Sequence, residues 1–167
     1  MGQTSYTLYH SAATAGQVVE RADGYRGTRG RYECSETLSF GRLVELHSDG
    51  KLRPPQATTL GKVIGGIAYN PSLPPGGYKA GEDIVPAFRK GQMWLEYTGT
   101  APAVEAKPNV CHASTDGASN AQHRGKLTGA AVDTDAGEEI SAGPEGLVVI
   151  AVDAALSLAL CEFNLPA

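Results

Sequence analysis

Four histidines (His10, His47, His112, His123) and three cysteines (Cys34, Cys111, Cys161) are the side chains of this sequence best suited to nucleophilic or metal chemistry. A hydrolytic triad needs an imidazole beside a Ser or Cys, with a carboxylate to orient it. No G-x-S-x-G elbow occurs. Cys111 and His112 are sequence neighbours, and on a strand such neighbours point to opposite faces. The three cysteines with His112 lack any closely spaced Cys pair, so they read as buried or loop thiols, with Cys161 in the core. Asp133-x-Asp135 suggests a calcium loop, but Gly137 takes the fifth position, Glu138 the sixth and Pro144 the twelfth. An EF-hand wants a ligand, a glycine and a glutamate there, so the stretch reads as a solvated acidic turn. Gly61-Lys62 lacks the upstream glycines of a phosphate cradle, and Gly24, Gly27 and Gly30 are spaced wrongly for a dinucleotide loop. The adjacent Glu82 and Asp83 sit where turn residues belong. We therefore expect no catalytic site, cofactor or metal, and a protein that is not an enzyme.

Composition says what must position any functional residue. Twenty-one glycines and ten prolines in 167 residues, with 7% aromatic and 19% charged residues, favour many turns and short strands. The expected fold is all-β: a single small β-barrel or β-sandwich-like domain with long loops and an extended N-terminal arm. The arm is expected over residues 1–32 and the β-rich core over 33–167. Residues 99–129 form either a long loop or insertion, or two short strands around a turn. A balance of 14 basic against 18 acidic residues leaves a net charge of −4, which argues against nucleic acid as a partner. No run reaches the roughly 18 apolar residues that span a bilayer. The first residues lack the basic and apolar regions of a leader, and an odd number of widely spaced cysteines fits a reducing compartment.

The densest β-type stretch is 61–97. Residues 58–69 read as a strand region, with a bulge or close backbone approach at Gly65-Gly66. Residues 84–88 and 93–97 read as a hairpin closed by Arg89-Lys90-Gly91-Gln92. Residues 70–79, with Pro71, Pro74, Pro75, Gly76 and Gly77, read as a stiff excursion from the sheet. Further strands are expected over 38–46, around 130–132, over 147–152 as a buried strand, and over 156–165. Asp49-Gly50 and Gly143-Pro144-Glu145-Gly146 are expected turns.

This stretch also carries a resemblance. GIAYNP, then GYKAGEDI, then FRKGQMWLE is similar to the signature of tailed-phage capsid decoration proteins of the structural cement protein family. The likeness extends upstream to Ser39-Phe40-Gly41-Arg42-Leu43-Val44 and downstream to a last strand over 158–165. The resemblance implies a virion protein on the outer face of the expanded head, made in the host bacterial cytoplasm. It implies bridging of major capsid protein subunits and a homo-oligomer, with a trimer favoured over a dimer. A second reading is a β-rich binding module for carbohydrate or cell-surface recognition on a virion. A third is a small β-barrel enzyme.

Tyr and Arg are enriched among interface hot spots. The Arg/Gly-rich N-terminal segment reads either as a solvated arm or as one that orders on a partner. In the second case Tyr6, Tyr9 and Tyr25 are its anchors and Arg26, Arg29 and Arg31 its donors. Tyr78, beside the proline loop, joins the candidate capsid-facing set. Trp94 and Tyr97 are candidates for a self-association face, the other reading of Trp94 being plain core packing.

Overall fold

Short β-branched runs between glycines and prolines fold here as strands. They are β1 (Val18–Val19), β2 (Thr28–Tyr32), β3 (Leu43–Leu46), β4 (Leu52–Arg53), β5 (Val63–Ile67) and β6 (Val85–Glu96). β7 (Asn109–Cys111), β8 (Leu127–Thr128), β9 (Ile140–Ala142), β10 (Leu147–Asp153) and β11 (Leu158–Asn164) follow. The computed structural model describes residues 13–19, 28–56, 63–81, 85–112, 123–132 and 140–165, with the backbone alone for 28–31. No α-helix occurs among these described residues, and none is long and apolar enough to cross a membrane.

The strands form two antiparallel sheets, sandwich-like rather than a closed barrel. The larger runs β10-β11-β6-β5-β3-β4, with β1 and β2 also paired to β6. The smaller runs β8-β7-β9. The expected arm, 1–32, thus contributes two strands to the main sheet. Within 99–129, β7 and β8 build the small sheet.

β6 replaces the expected 84–97 hairpin. It is one continuous strand of 12 residues. Four strands pair with it: β2 and β5 along its first half, β1 and β11 along its second. Arg89-Lys90-Gly91-Gln92 interrupts the apolar pattern because Arg89 is an extra residue, a bulge between Phe88 and Lys90 in the pairing with β2. Gly91 adopts φ 114, a conformation closed to side-chain-bearing residues. Val85 and Ala87 face one apolar cluster, whereas Met93 and Leu95 face another.

Those two clusters lie on opposite faces of β3. Leu43 belongs to the cluster between the sheets, together with Val110, Leu127, Met93, Leu95, Cys161 and Phe163. Its neighbour Val44 belongs to the cluster beneath Cys34, Leu38, Phe40, Ile67 and Tyr78. Phe88 and Phe163 meet edge to face at 5.4 Å, a geometry that contributes about 0.5–1.5 kcal/mol beyond burial. The expected close approach at Gly65-Gly66 is present. A Cβ on Gly65 would lie 2.5 Å from the Phe88 carbonyl oxygen, and one on Gly66 would collide with Met93. A bulge at Ile64 on the same strand, opposite the Val44–Glu45 step of β3, accompanies it.

Other expectations shift. The strand over 38–46 begins only at Leu43, while Leu38 makes a lone bridge to Tyr78 because Gly41 turns the chain at φ 69. The strand near 130–132 lies instead at Leu127–Thr128, where the Asn109 side chain donates to the Ala130 carbonyl. β10 stands at the end of the sheet order, so only Leu147 and Val149 of its seven residues are buried. The Asp49-Gly50 turn is as expected, joining β3 and β4. There the Lys51 amide donates to the Asp49 carboxylate and holds its pKa below the usual value.

Candidate docking surfaces

The proline loop is tied at both ends. The Ser72 amide donates to the Asn70 side-chain oxygen at 3.0 Å, and the Gly77 amide to the Pro74 carbonyl at 3.0 Å. Leu38 and Tyr78 exchange backbone bonds of 2.9 and 3.0 Å at its base. Pro71, Ser72, Pro74, Pro75 and Gly76 are left exposed at the tip. Phe40 seats the loop: its ring meets Tyr69 at 5.3 Å and Tyr78 at 6.0 Å, both edge to face. Tyr78 is 4% exposed, whereas Tyr69 is 44% exposed. A shallow groove of about 280 Å³ runs past Thr14, Phe40, Arg42, Tyr69, Pro75 and Glu96.

A second surface is the outward face of β10, β11 and the latter half of β6. In antiparallel register, residues directly opposite each other share a face. One row is Ala151, Leu160 and Trp94; the next is Val148, Glu162 and Gln92. Trp94 and Leu160 are half-buried, and Val148 is 42% exposed. An outward face solvated on its own would alternate to polar residues. Here the centre is apolar and Gln92, Glu162 and Asn164 lie to one side. On the other side, Arg42 and Lys126 close on Glu96 at 3.0 and 3.3 Å.

Bonds cover the ends of the main sheet. The Glu105 amide donates to the Val149 carbonyl, and the Val149 amide to the Ala106 carbonyl, so residues 105–106 lie along β10. Glu105 takes φ 62 to do so. At the other end, Leu52 of β4 bonds to Glu33 and Ser35. Sheet ends covered in this way resist edge-to-edge pairing.

The chemistry-bearing residues are consumed by the fold. Cys34, Cys111 and Cys161 are all buried, and burial pushes the Cys161 thiol up to about 12. The Cys34 thiol donates to the Lys79 carbonyl at 2.8 Å. His112 is fully buried and shares a 2.6 Å hydrogen bond with the Ser141 hydroxyl. His47 pairs with Asp49 at 3.1 Å. The buried Glu45 carboxylate accepts from Arg53 at 2.5 Å and from the Gln56 amide at 3.3 Å. Arg124 donates to Glu36 and to the Pro54 and Pro55 carbonyls, clamping the approach to β8 onto the end of β4. No cluster of three metal-ligating side chains occurs among the described residues. His10, Glu82, Asp83 and 133–139 lie outside them.

The residues expected to make contacts are scattered. Tyr6, Tyr9, Tyr25 and Arg26 lie outside the described residues. Arg29 and Arg31 lie on β2, opposite Phe88 and Pro86, with side chains outside the described part. Tyr78 and Tyr97 (8% exposed) turn inward, while Trp94 faces outward. Sequence reasoning passed over Leu160 and Val148. Their signal was apolar residues at both parities of strands that bury one face.

The family model for structural cement proteins, exemplified by E217 gp24 and Pam3 gp6, matches residues 2–153. Among solved structures, a chain of the capsid of Myoviridae phage XM1 superposes with a TM-score of 0.71 at 18% identity. The match covers 98% of this chain and 97% of that one. No curated protein matches.

Proposed function

The chain belongs to the structural cement protein family, and on that premise we propose that it decorates and stabilises a tailed-phage head. It binds the outer surface of the expanded shell and bridges neighbouring major capsid protein subunits. It acts as a homo-oligomer, a trimer rather than a dimer, and is made in the cytoplasm of the host bacterium. The candidate contact set for capsid and self is Tyr6, Tyr9, Tyr25, Arg26, Arg29, Arg31, Tyr78, Trp94 and Tyr97, with Trp94 the member that faces outward in the described part.

The observation that carries this reading is the family match over nearly the whole chain. A stiff projecting loop and an open apolar sheet face support it, because both offer contact area without a catalytic cleft. The physics is mass action. A protein that binds the assembled lattice and not its dissociated subunits stabilises the lattice by about 2.7 kcal/mol per site at a hundredfold excess over Kd. Simultaneous engagement of several subunits adds avidity without any further kind of contact.

Mixing the purified protein with expanded, undecorated heads tests the proposal. It should co-sediment to saturation and raise the temperature and osmotic shock at which heads rupture. Heads that neither bind it nor gain resistance would overturn the reading.

A further inference from the structure

We propose that the outward face of β10, β11 and the latter half of β6 docks onto a major capsid protein subunit of the assembled shell, with Trp94 as its principal anchor. This rests on the cement reading and names the surface that reading requires. Three observations select the occupant.

First, the ends of the main sheet are covered, at Val149 by residues 105–106 and at Leu52 by Glu33 and Ser35. Those bonds hinder a partner strand at the edges of β10 and β4 and favour association through a face. Second, β3, β5 and the first half of β6 have both faces buried by the two apolar clusters, whereas this part of the sheet buries one. Its other face carries Trp94 and Leu160 side by side, Val148 beyond them, and Gln92 and Glu162 in the next row. An apolar centre at Leu160, flanked by a Trp and set beside polar residues, is the anatomy of an interface core. Third, the face is small. Three strands about 4.8 Å apart and three side-chain rows about 7 Å apart present about 300 Å². Two copies laid face to face would bury about 600 Å² in total, half of what the smallest stable pairs need. Such a pairing would also close as a two-fold dimer. A contact of this size is useful when other contacts of the same molecule are made at once, which an assembled shell provides and a free second copy does not.

The test uses the full-length protein and expanded, undecorated heads. Binding is titrated by co-sedimentation, folding is checked by thermal melting, and the association state is read by sedimentation velocity. Trp94→Ala should raise the apparent dissociation constant for heads at least about tenfold. Val148→Glu, at a position already 42% exposed, should do the same and serves if Trp94→Ala fails to fold. Leu156→Ser, in the β10–β11 turn and away from the face, should bind as wild type does. All should sediment alone as the wild type does. Wild-type binding by both face variants would overturn the assignment. So would a changed association state in solution, which would make a second copy the occupant. A wild-type protein that fails to bind heads would instead remove the cement reading itself.

Discussion

Cys161 shows how burial alone decides a side chain's chemistry. It sits opposite Met93 in the middle of β11, fully enclosed, with its thiol raised to about 12. Cost of the charged form in an apolar site is the cause. Native protein at pH 8 should therefore leave Cys161 unmodified by a thiol reagent, with reaction appearing only on unfolding. Mass mapping of the labelled cysteine checks this. The same shift has a sign for stability. Between the unfolded value of 9.0 and about 12, the unfolded chain loses the thiol proton and the native chain keeps it. Stability from this group is thus complete below pH 9 and declines above it, by about 1.4 kcal/mol per pH unit. Glu45 illustrates a different case, a buried carboxylate whose oxygens accept from Arg53 and a backbone amide. That arrangement locks the β3–β4 hairpin and offers nothing to a substrate.

At the scale of the element, β6 is the strand on which the rest is hung. Its register slips by one residue at Arg89, between Phe88 and Lys90, and that bulge lets one strand serve two apolar clusters. A β-branched side chain at φ 114 is strained, at a cost of about 1–3 kcal/mol. Gly91→Val should lower the melting temperature by roughly 2–12 °C for a chain of this size. A melt unchanged from wild type would mean that the strand next to the bulge does not need a positive φ at this residue. The sequence made Gly91 visible as a special position but not its role. A tight turn and a bulge both interrupt an apolar pattern with polar residues and glycine. What separates them is whether the flanking halves pair with each other or with other strands. β11 and β2, more than fifty residues away on either side, made that choice.

For the whole molecule, the N-terminal segment is the informative test. β1 pairs with Met93 and Gln92, and β2 with the first half of β6. The Gly16 amide also donates to the Trp94 carbonyl at 2.7 Å, while the Tyr69 amide donates to Gly16. Removing residues 1–12 should leave the melting temperature within about 2 °C, because no described core residue is lost, while weakening head binding. Removing residues 1–30 deletes β1 and most of β2, and should cost several degrees or prevent folding. Parallel melting curves of the two truncations check this. Equal melts would place β1 and β2 outside the cooperative unit.

The amino-acid order alone determined that this is an all-β chain, that Asp49-Gly50 turns, that the 70–79 loop leaves the sheet, and that Gly65-Gly66 admits a neighbouring backbone. Those features follow from local rules: fixed proline φ, permissive glycine, and the preference of β-branched side chains for a pleated surface. The resemblance carried by GIAYNP, GYKAGEDI and FRKGQMWLE led to the family. Only the tertiary structure decided that Tyr78 and Tyr97 turn inward while Trp94 faces out, and that Leu160 and Val148 join Trp94 on one face. Which side of a strand is covered depends on segments far away in sequence. A period of two marks two faces, and long-range packing chooses the one that stays open.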